Sequence, residues 1–387
     1  MRIAIIGGRL QGVEAVYLAK QAGYRTLVID KNSNVPATGL CDKFMKFEFS
    51  PDTPFPVCNT RIDLILPAVE DEAVLSLLEA WSVTDNIPFA FDPAAYTVST
   101  SKLKSNRLFE KLDLPIPKSW PGCSFPVVVK PDKASGSQGV EIIDTPEILN
   151  RHWLSKPQTE NLVIQEFVEG PSYSVEVLGY PGNYHALQVT DLGMDSDWDC
   201  NAVTAPSRLP EAHARRFKQM AVDIAEALRL RGIMDLEAIL HKDELRLLEI
   251  DARLPSQTPM TVYWSTGINM VELMVDLTLG KPIDCEPVSE YPVMIEHIKV
   301  AGSGIEHSGE HIMAGDGPLK IQAGFFGADE AVTSFDRAKS QWVATLIFKG
   351  RSQKEVNLKR ARCYDRIAVQ SQNRLKESFN DRPFQTL

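Results

Sequence analysis

The sequence has 387 residues, a length that predicts two or three domains. Hydrophobic residues make up 44% and charged residues 24%, an ordinary globular composition that argues against collagen-like, disordered and coiled-coil proteins. The formal net charge of -10 argues against broad binding to nucleic acid or anionic membranes. No apolar run approaches the roughly 18 residues of a membrane span. The first residues do not resemble a signal peptide, and the six cysteines are scattered. We therefore expect a cytoplasmic protein without nucleic-acid or membrane partners.

The first third of the chain has the pattern of a parallel α/β unit. Apolar, strand-like segments occur at residues 2–8, 26–30 and 63–67, and residues 11–22 have apolar side chains at helical spacing. Gly7 and Gly12 occupy the outer positions of a dinucleotide-binding fingerprint, but Arg9 replaces the middle glycine that lets the backbone approach a pyrophosphate. The pattern therefore predicts a Rossmann-like fold and disfavours a nicotinamide-dependent oxidoreductase.

Four carboxylates are spaced as if they belonged to one β-hairpin. Two strand-like segments flank a polar turn at 241–244, and residues two apart on a strand share a face. Asp235 and Glu237 therefore share one face, Glu249 and Asp251 share a face of the partner strand, and we expect three of these carboxylates to converge. Carboxylates that converge on a buried sheet need cations, and hard oxygen ligands suit magnesium. The alternative, a solvated acidic face, fits the interleaved leucine and isoleucine residues poorly.

A second constellation combines a strand lysine with a loop of small residues. The run Val-Val-Val-Lys-Pro ends a strand at Lys130, and the loop that follows contains Ser135, Gly136, Ser137 and Gly139. Such a loop leaves backbone N–H groups free to cradle phosphate oxygens, although its spacing is not that of a P-loop. An ordinary hairpin turn is the alternative. A third segment, residues 162–170, is an apolar strand that ends in a glycine turn and suits the edge of a purine.

Together these three segments resemble the ATP-grasp superfamily. The resemblance implies ATP and two magnesium ions as cofactors, with manganese as a possible substitute, and Glu237, Glu249 and Asp251 as metal ligands. It also implies that residues 133–139 close over the triphosphate and that Leu248 packs on the purine. The resulting set of ATP-binding residues is Arg9, Asp30, Lys102, Lys130, Ser135, Gly136, Ser137, Gly139, Glu166, Phe167, Val168 and Leu248.

The expected fold class is α/β, with an α+β lid, in an ATP-grasp architecture. Proline-rich stretches mark the expected domain boundaries. We predict a Rossmann-like domain at 1–92, a small mobile lid at 93–170, a larger catalytic subdomain with the metal site at 171–290, and a β-rich part at 291–387 that completes the catalytic lobe. Residues 342–348 have the pattern of a strand, and the basic residues of 351–376 suggest a solvated helix.

A narrower resemblance covers nearly the whole chain. The runs at 7–12, 232–239 and 249–259 are similar to those of the ligase family of pyrrolysine biosynthesis. That resemblance implies an enzyme that uses ATP to join the carboxyl group of 3-methyl-D-ornithine to the ε-amine of L-lysine through an acyl phosphate. Its partners are then small molecules, and a homo-oligomer is compatible with the sequence.

The substrate sites follow from the same resemblance and from the need of ammonium groups for acidic partners. The lysine-binding set is Leu10, Gln11 and Glu70, at the carboxyl ends of the first strands. The methylornithine-binding set is Ser174, Glu176, Asp199, Ser256, Gln257 and Thr258. Arg253 and Lys130 are the expected catalytic residues, because a rigid guanidinium suits acyl-phosphate oxygens. The alternative for Arg253 is a partner of nearby carboxylates, and the general base is left open between Asp235 and a phosphate oxygen.

Two rival functions share the same ATP residues. Another ATP-grasp carboxylate–amine ligase, such as a D-alanine-type ligase or a purine-pathway carboxylase, differs at residues 253–269 and 10–11. A non-catalytic ATP-binding module would bind nucleotide without turnover. Product analysis separates all three.

Overall fold

Apolar strands near the N-terminus form a parallel sheet, as the alternating pattern predicts. The computed structural model describes residues 1–56, 61–133, 136–154, 161–302 and 304–380. The sheet has the order β3-β2-β1-β4, with strands β1 Arg2–Ile6, β2 Arg25–Asp30, β3 Lys43–Lys46 and β4 Leu64–Pro67. Helix α1 Leu10–Gln21 crosses between β1 and β2, and α2 Glu72–Asp85 follows β4. A side chain at Gly12 would lie 2.2 Å from the Gly7 carbonyl oxygen, so glycine permits the close packing of α1 on β1.

Two short helices lead from this sheet into a small three-stranded sheet. They are α3 Pro93–Ser99 and α4 Lys102–Lys111. The small sheet is antiparallel in the order β6-β5-β7, with β5 Val127–Pro131, β6 Glu141–Ile143, α5 Pro146–Leu149 and β7 Leu162–Glu166. Its core is small, with four buried apolar residues at 127, 129, 143 and 149.

The rest of the chain builds one large sheet of eleven strands. Its order is β13-β12-β8-β10-β11-β14-β18-β17-β16, with β9 beside β8 and β15 beside β14. The first strands are β8 Ser172–Tyr180, β9 Asn183–Ala186, β10 Thr190–Met194, β11 Cys200–Ala205, β12 Gly232–His241 and β13 Glu244–Asp251. Three helices accompany them: α6 Glu211–Leu228, α7 Thr258–Thr266 and α8 Met270–Thr278.

The last hundred residues extend the same sheet. Their elements are β14 Val293–Ala301, β15 Gly304–His307, α9 His311–Ala314, β16 Lys320–Ala323, β17 Glu330–Thr333, β18 Gln341–Lys349 and α10 Gln353–Asn380. The predicted terminal strand and helix are confirmed. The helix is not simply solvated, because Val356, Cys363 and Ile367 are buried against the aromatic core around Phe325. No helix among the described residues has the length and apolar character that crossing a bilayer requires.

One buried hydrogen-bond network joins the N-terminal sheet to the large sheet. The Tyr17 hydroxyl group in α1 donates to Glu330 Oε1 of β17 at 2.6 Å and accepts from Trp264 Nε1 of α7 at 2.9 Å. Tyr17 is fully buried, in a core cluster that contains residues of both sheets. Buried polar groups without partners are costly, so this network stabilises one relative placement of the three elements.

Replacing Tyr17 with phenylalanine is expected to lower the free energy of unfolding by about 1–3 kcal/mol, because the Glu330 carboxylate and the Trp264 N–H lose a buried partner. Chemical denaturation measures the difference. The matched control is Tyr24→Phe, because Tyr24 is half-buried just after the same helix and its hydroxyl group makes no hydrogen bond to any described residue. Equal losses in both variants would contradict the role assigned to the network.

Candidate active site

The acidic hairpin forms as predicted, from β12 and β13. Asp235 pairs with Asp251, and Glu237 pairs with Glu249, so the four carboxylates share one face. A β-bulge follows Glu237, because the next pair is Ala238 with Leu247 and residue 248 has no partner. The bulge turns Leu248 to the same side as Glu249, and both line one cavity.

Three cations surround these carboxylates, each from a different part of the chain. Lys102 Nζ, at the start of α4, lies 3.1 Å from Glu249 Oε2. Lys130 in β5 is buried beside Glu249 and Glu237, and burial lowers its pKa to about 8. Arg253 Nη2 lies 2.5 Å from Asp251 Oδ2.

The cations compensate only part of the acidic charge. Burial raises the pKa of Asp235, Glu237 and Asp251 above the usual carboxyl values, and the neighbouring carboxylates raise it further. Burial also opposes ionisation of Glu249, but Lys102 and Lys130 outweigh it and hold its pKa below the usual value. The cluster therefore retains affinity for additional positive charge.

The acidic cluster fits magnesium when substrate phosphates complete the coordination. Asp235 Oδ1 is buried without a hydrogen-bond partner among the described residues. Within the same residues no three acidic, histidine or cysteine side chains are close enough to enclose a metal ion by themselves. Magnesium typically binds through one or two carboxylates together with phosphate oxygens and water, which is consistent with this open arrangement.

A cavity of about 390 Å³ lies between the small sheet and the large sheet. Most members of the predicted ATP-binding set line it: Lys102, Lys130, Gly136, Ser137, Glu166, Phe167, Val168 and Leu248. Gly139 does not line it, although its neighbours Gln138 and Val140 do, and its positive φ of +71° is a conformation that favours glycine. Ser135 lies outside the described residues. The cavity is large and mainly apolar except at its acidic end, as a purine nucleotide requires.

Two residues predicted to bind ATP lie away from this cavity. Asp30 ends β2 and accepts hydrogen bonds from the backbone N–H groups of Gly8 and Asn32. Arg9 is exposed just before α1. Both are at the carboxyl edge of the N-terminal sheet, and neither lines the cavity.

A second, polar cavity of about 150 Å³ adjoins the first. It is lined by predicted substrate residues Ser174, Asp199, Ser256, Gln257 and Thr258 and by Arg253. Gly136, Ser137, Glu237 and Glu249 line both cavities, so the two meet at the glycine loop and the acidic strands. A group in the polar cavity therefore lies next to the acidic end of the larger one.

Three side chains near the polar cavity are buried without a described partner. They are Glu176, with both carboxylate oxygens, and the hydroxyl groups of Ser174 and Thr258. Ser174 and Glu176 lie on one face of β8. Burial raises the pKa of Glu176 to about 7, against the opposing effect of the nearby Thr258 and Ser174 hydroxyl groups. The three groups thus lie close together without forming full hydrogen bonds, an arrangement that a polar ligand would complete.

Asp199 is already engaged by the C-terminal part of the chain. Its Oδ2 lies 2.7 Å from His311 Nδ1 and accepts from the His311 backbone N–H at 3.1 Å. A side chain at Gly309 would overlap Asp199, so glycine permits this contact. Asp199 therefore faces the polar cavity with one oxygen held by His311.

The predicted lysine site lies beside Arg253. Glu70 Oε1 accepts from Gln11 Nε2 at 2.9 Å and lies 2.7 Å from Arg253 Nη2. Leu10, at the start of α1, borders a small cavity behind Ser256. Arg253 thus pairs with two carboxylates and links Asp251 of the acidic hairpin to Glu70, so the alternative role as a carboxylate partner is also realised.

Sequence reasoning missed Glu310. This residue lines the polar cavity, accepts from Ser256 Oγ at 2.9 Å, and has its pKa raised to about 7 by burial. It lies between β15 and α9, in a glycine-rich segment with no helical or strand period. No local pattern marks it, and only the fold places it opposite Ser256.

Comparison with known proteins agrees with this geometry. The ATP-grasp domain family matches residues 99–257, which include the small sheet and the acidic hairpin. Over 362 residues the chain is 33% identical to the 3-methyl-D-ornithine–L-lysine ligase of Methanosarcina mazei, an alignment that covers 92% of this chain and 93% of that protein.

Solved structures extend the comparison to the fold. The biotin carboxylase β-γ-ATP complex from Campylobacter jejuni matches with a TM-score of 0.71 at 12% identity, covering 96% of this chain and 95% of that one. The biotin carboxylase domain of 2-oxoglutarate carboxylase from Hydrogenobacter thermophilus, solved with MgADP and bicarbonate, matches with a TM-score of 0.68 at 14% identity, covering 90% and 86%. These likenesses establish the ATP-grasp fold. With the close relative from Methanosarcina, they show that the chain belongs to the 3-methyl-D-ornithine–L-lysine ligase family of the ATP-grasp superfamily.

Proposed function

We propose that this protein uses ATP to join the carboxyl group of 3-methyl-D-ornithine to the ε-amine of L-lysine, with release of ADP and phosphate. The observation that carries the proposal is the wall shared by the two cavities, where Glu237, Glu249, Gly136 and Ser137 separate a nucleotide-sized space from a polar one. A carboxylate in the polar cavity is then adjacent to the terminal phosphate of a nucleotide in the larger one. The family relationship supplies the identity of the substrates.

The first step is transfer of the γ-phosphoryl group to the methylornithine carboxylate. A carboxylate is a poor electrophile, and phosphorylation gives it a good leaving group. Lys130 and Lys102 offset the charge that spreads over the phosphoryl oxygens. The backbone of the loop at Gly136 orients these oxygens. Glu237, Glu249 and Asp251 would hold magnesium, which would neutralise the same oxygens. We expect two magnesium ions. The biotin carboxylase domain from Hydrogenobacter thermophilus was solved with MgADP.

The second step is attack of the lysine amine on the acyl phosphate. The neutral amine displaces phosphate from the acyl carbon, its surplus proton passes to Asp235 or to a phosphate oxygen, and an isopeptide bond remains. Arg253 borders the polar cavity and is placed to steady the acyl-phosphate oxygens with its planar donors. Its contact with Glu70 also brings it next to the proposed lysine site.

Charge complementarity supports the two substrate sites. Glu176, buried and without a described partner, suits an ammonium group of methylornithine, and the Ser174 and Thr258 hydroxyl groups supply further contacts. Glu70 is more exposed and suits the α-ammonium group of lysine. The three sheets support the division of the chain at residues 92 and 170, with the small sheet acting as the lid, whereas the large sheet continues across the boundary proposed at residue 290.

The reaction is tested by product analysis with ATP, L-lysine and a panel of D-amino acids. We expect ADP, phosphate and a methylornithyl-lysine product only with 3-methyl-D-ornithine or a close D-ornithine analogue. Mass spectrometry identifies the amide. Hydrolysis of ATP driven by bicarbonate or D-alanine would favour a rival ligase, and nucleotide binding without turnover would favour a binding module.

Substituting Glu249 with glutamine is expected to abolish turnover and to weaken magnesium-dependent nucleotide binding, because the change removes a charge from the metal site and a partner of Lys102. Isothermal titration with MgATP and the turnover rate measure the two effects. Glu244→Gln is the matched control on the same strand, since Glu244 pairs with Arg246 away from the cavities. Normal turnover of Glu249→Gln at ordinary magnesium concentrations would refute the assignment.

Substituting Glu70 with alanine is expected to separate the half-reactions. The KM for lysine should rise about ten- to a hundredfold through loss of a charge-assisted contact. The acyl phosphate should still form, because Arg253 keeps its pairing with Asp251, and hydroxylamine should trap it as a hydroxamate. Glu79→Ala, an exposed change on the neighbouring helix α2, is the control. An unchanged lysine KM with a normal melting temperature would place the lysine site elsewhere.

A further inference from the structure

The loop of residues 252–257, between β13 and α7, contains a strained turn. The Thr258 N–H donates to the Ser256 carbonyl oxygen at 2.9 Å, and Gln257 between them has φ 73° and ψ -51°. These values define a γ-turn of the rare form with a left-handed central residue. A non-glycine residue in such a conformation costs of the order of 1–3 kcal/mol and persists only where its surroundings enforce it.

Helix α1, which packs on the N-terminal sheet, holds the turn from one side. Helix α7 begins directly after the turn, and the Gln257 side chain does not cap the N-terminus of α7. Pro259 has no N–H, and the Thr261 N–H donates to the Gln257 carbonyl oxygen. The remaining first-turn donor, the Met260 N–H, donates to Glu14 Oε1. Glu14 is only 2% exposed, so a carboxyl group from a remote helix supplies the cap that the local sequence lacks.

His297 holds the Gln257 side chain from a second side. His297 Nε2 lies 3.2 Å from Gln257 Oε1, and His297 Nδ1 lies 2.9 Å from Thr345 Oγ1. All three side chains are buried, and burial lowers the pKa of His297 to about 4. The imidazole is therefore neutral at pH 7, and a proton on Nε2 satisfies both contacts.

Little space remains for the turn to relax. The cavity behind Ser256 and Gln257 measures about 20 Å³, and Glu14 and His297 form part of its wall. A space of this size admits about one water molecule. On the opposite side, Ser256 and Thr258 face the polar cavity, where the Thr258 hydroxyl group has no described partner.

We propose that Glu14 and His297 are positioning residues that fix the γ-turn at Gln257, so that Ser256 and Thr258 present a preformed polar edge to the amino-acid substrate in the polar cavity. The identity of that substrate, 3-methyl-D-ornithine, rests on the proposed function. Strain at a cavity wall, enforced by buried groups from two distant segments, is how a rigid site is preorganised. Because Glu14 follows the proposed lysine residues Leu10 and Gln11 on the same helix, one element positions both amino-acid sites.

The test measures hydroxamate formation from ATP, 3-methyl-D-ornithine and hydroxylamine without lysine. His297→Leu and Glu14→Leu should each raise the KM for methylornithine about tenfold and leave the KM for ATP unchanged. Glu14→Gln should stay within about twofold of wild type, because its amide oxygen accepts from the same Met260 N–H. Tyr17→Phe is the control: it loses a buried hydrogen bond of the same helix and should lower the melting temperature without changing this KM.

A double-mutant cycle isolates the contact between the two side chains. If His297 acts through Gln257, then Gln257→Ala and the double variant with His297→Leu should have the same methylornithine KM. A KM that changes no more in His297→Leu and Glu14→Leu than in Tyr17→Phe would overturn the inference, as would additive effects in the cycle. Absence of hydroxamate with the wild-type enzyme would instead overturn the proposed function.

Discussion

The central constraint on this structure is the crowding of four carboxylates on one face of two adjacent strands, where Asp235 is buried and the other three are partly buried. Such a cluster is unfavourable unless cations compensate it, and the compensating side chains come from separate elements. Lys102 comes from helix α4, Lys130 from strand β5 of the small sheet and Arg253 from the loop after the hairpin. The charge of one hairpin is therefore partly balanced by side chains of the small sheet, a helix and a loop that meet at the same point.

The charge balance also explains why the site has affinity for cations. Lys102 and Lys130 hold the pKa of Glu249 below its usual value, but the pKa values of Glu237 and Asp251 stay raised. The acidic charge is therefore only partly compensated. Under the proposed function, magnesium ions and the ammonium groups of the amino acids would supply the remaining positive charge. Binding energy is in this way coupled to the assembly of the catalytic centre.

The sequence predicted the parts of the site whose signal is local. A period of two placed Asp235 and Glu237 on one face, and the small-residue loop after Lys130 predicted a phosphate-binding segment at the cavity. The bulge at Leu248 has no such signal, because it depends on pairing between strands. Glu310 and the partnership of Glu14 with Met260 depend on contacts between remote segments and could be found only in the fold.

Because of the bulge beside Glu237, the number of residues between the hairpin turn and Glu249 determines which side chains line the cavity. The turn between β12 and β13 consists of Lys242 and Asp243, both with positive φ, as in a two-residue turn that matches strand twist. Removing one residue between this turn and Glu249 would restore a regular ladder: Glu249 would still pair with Glu237, but Leu248 would pair with Ala238 and turn away from the cavity. Leu248 therefore reaches the cavity beside the carboxylates because β13 is one residue longer than β12 between the turn and this pair.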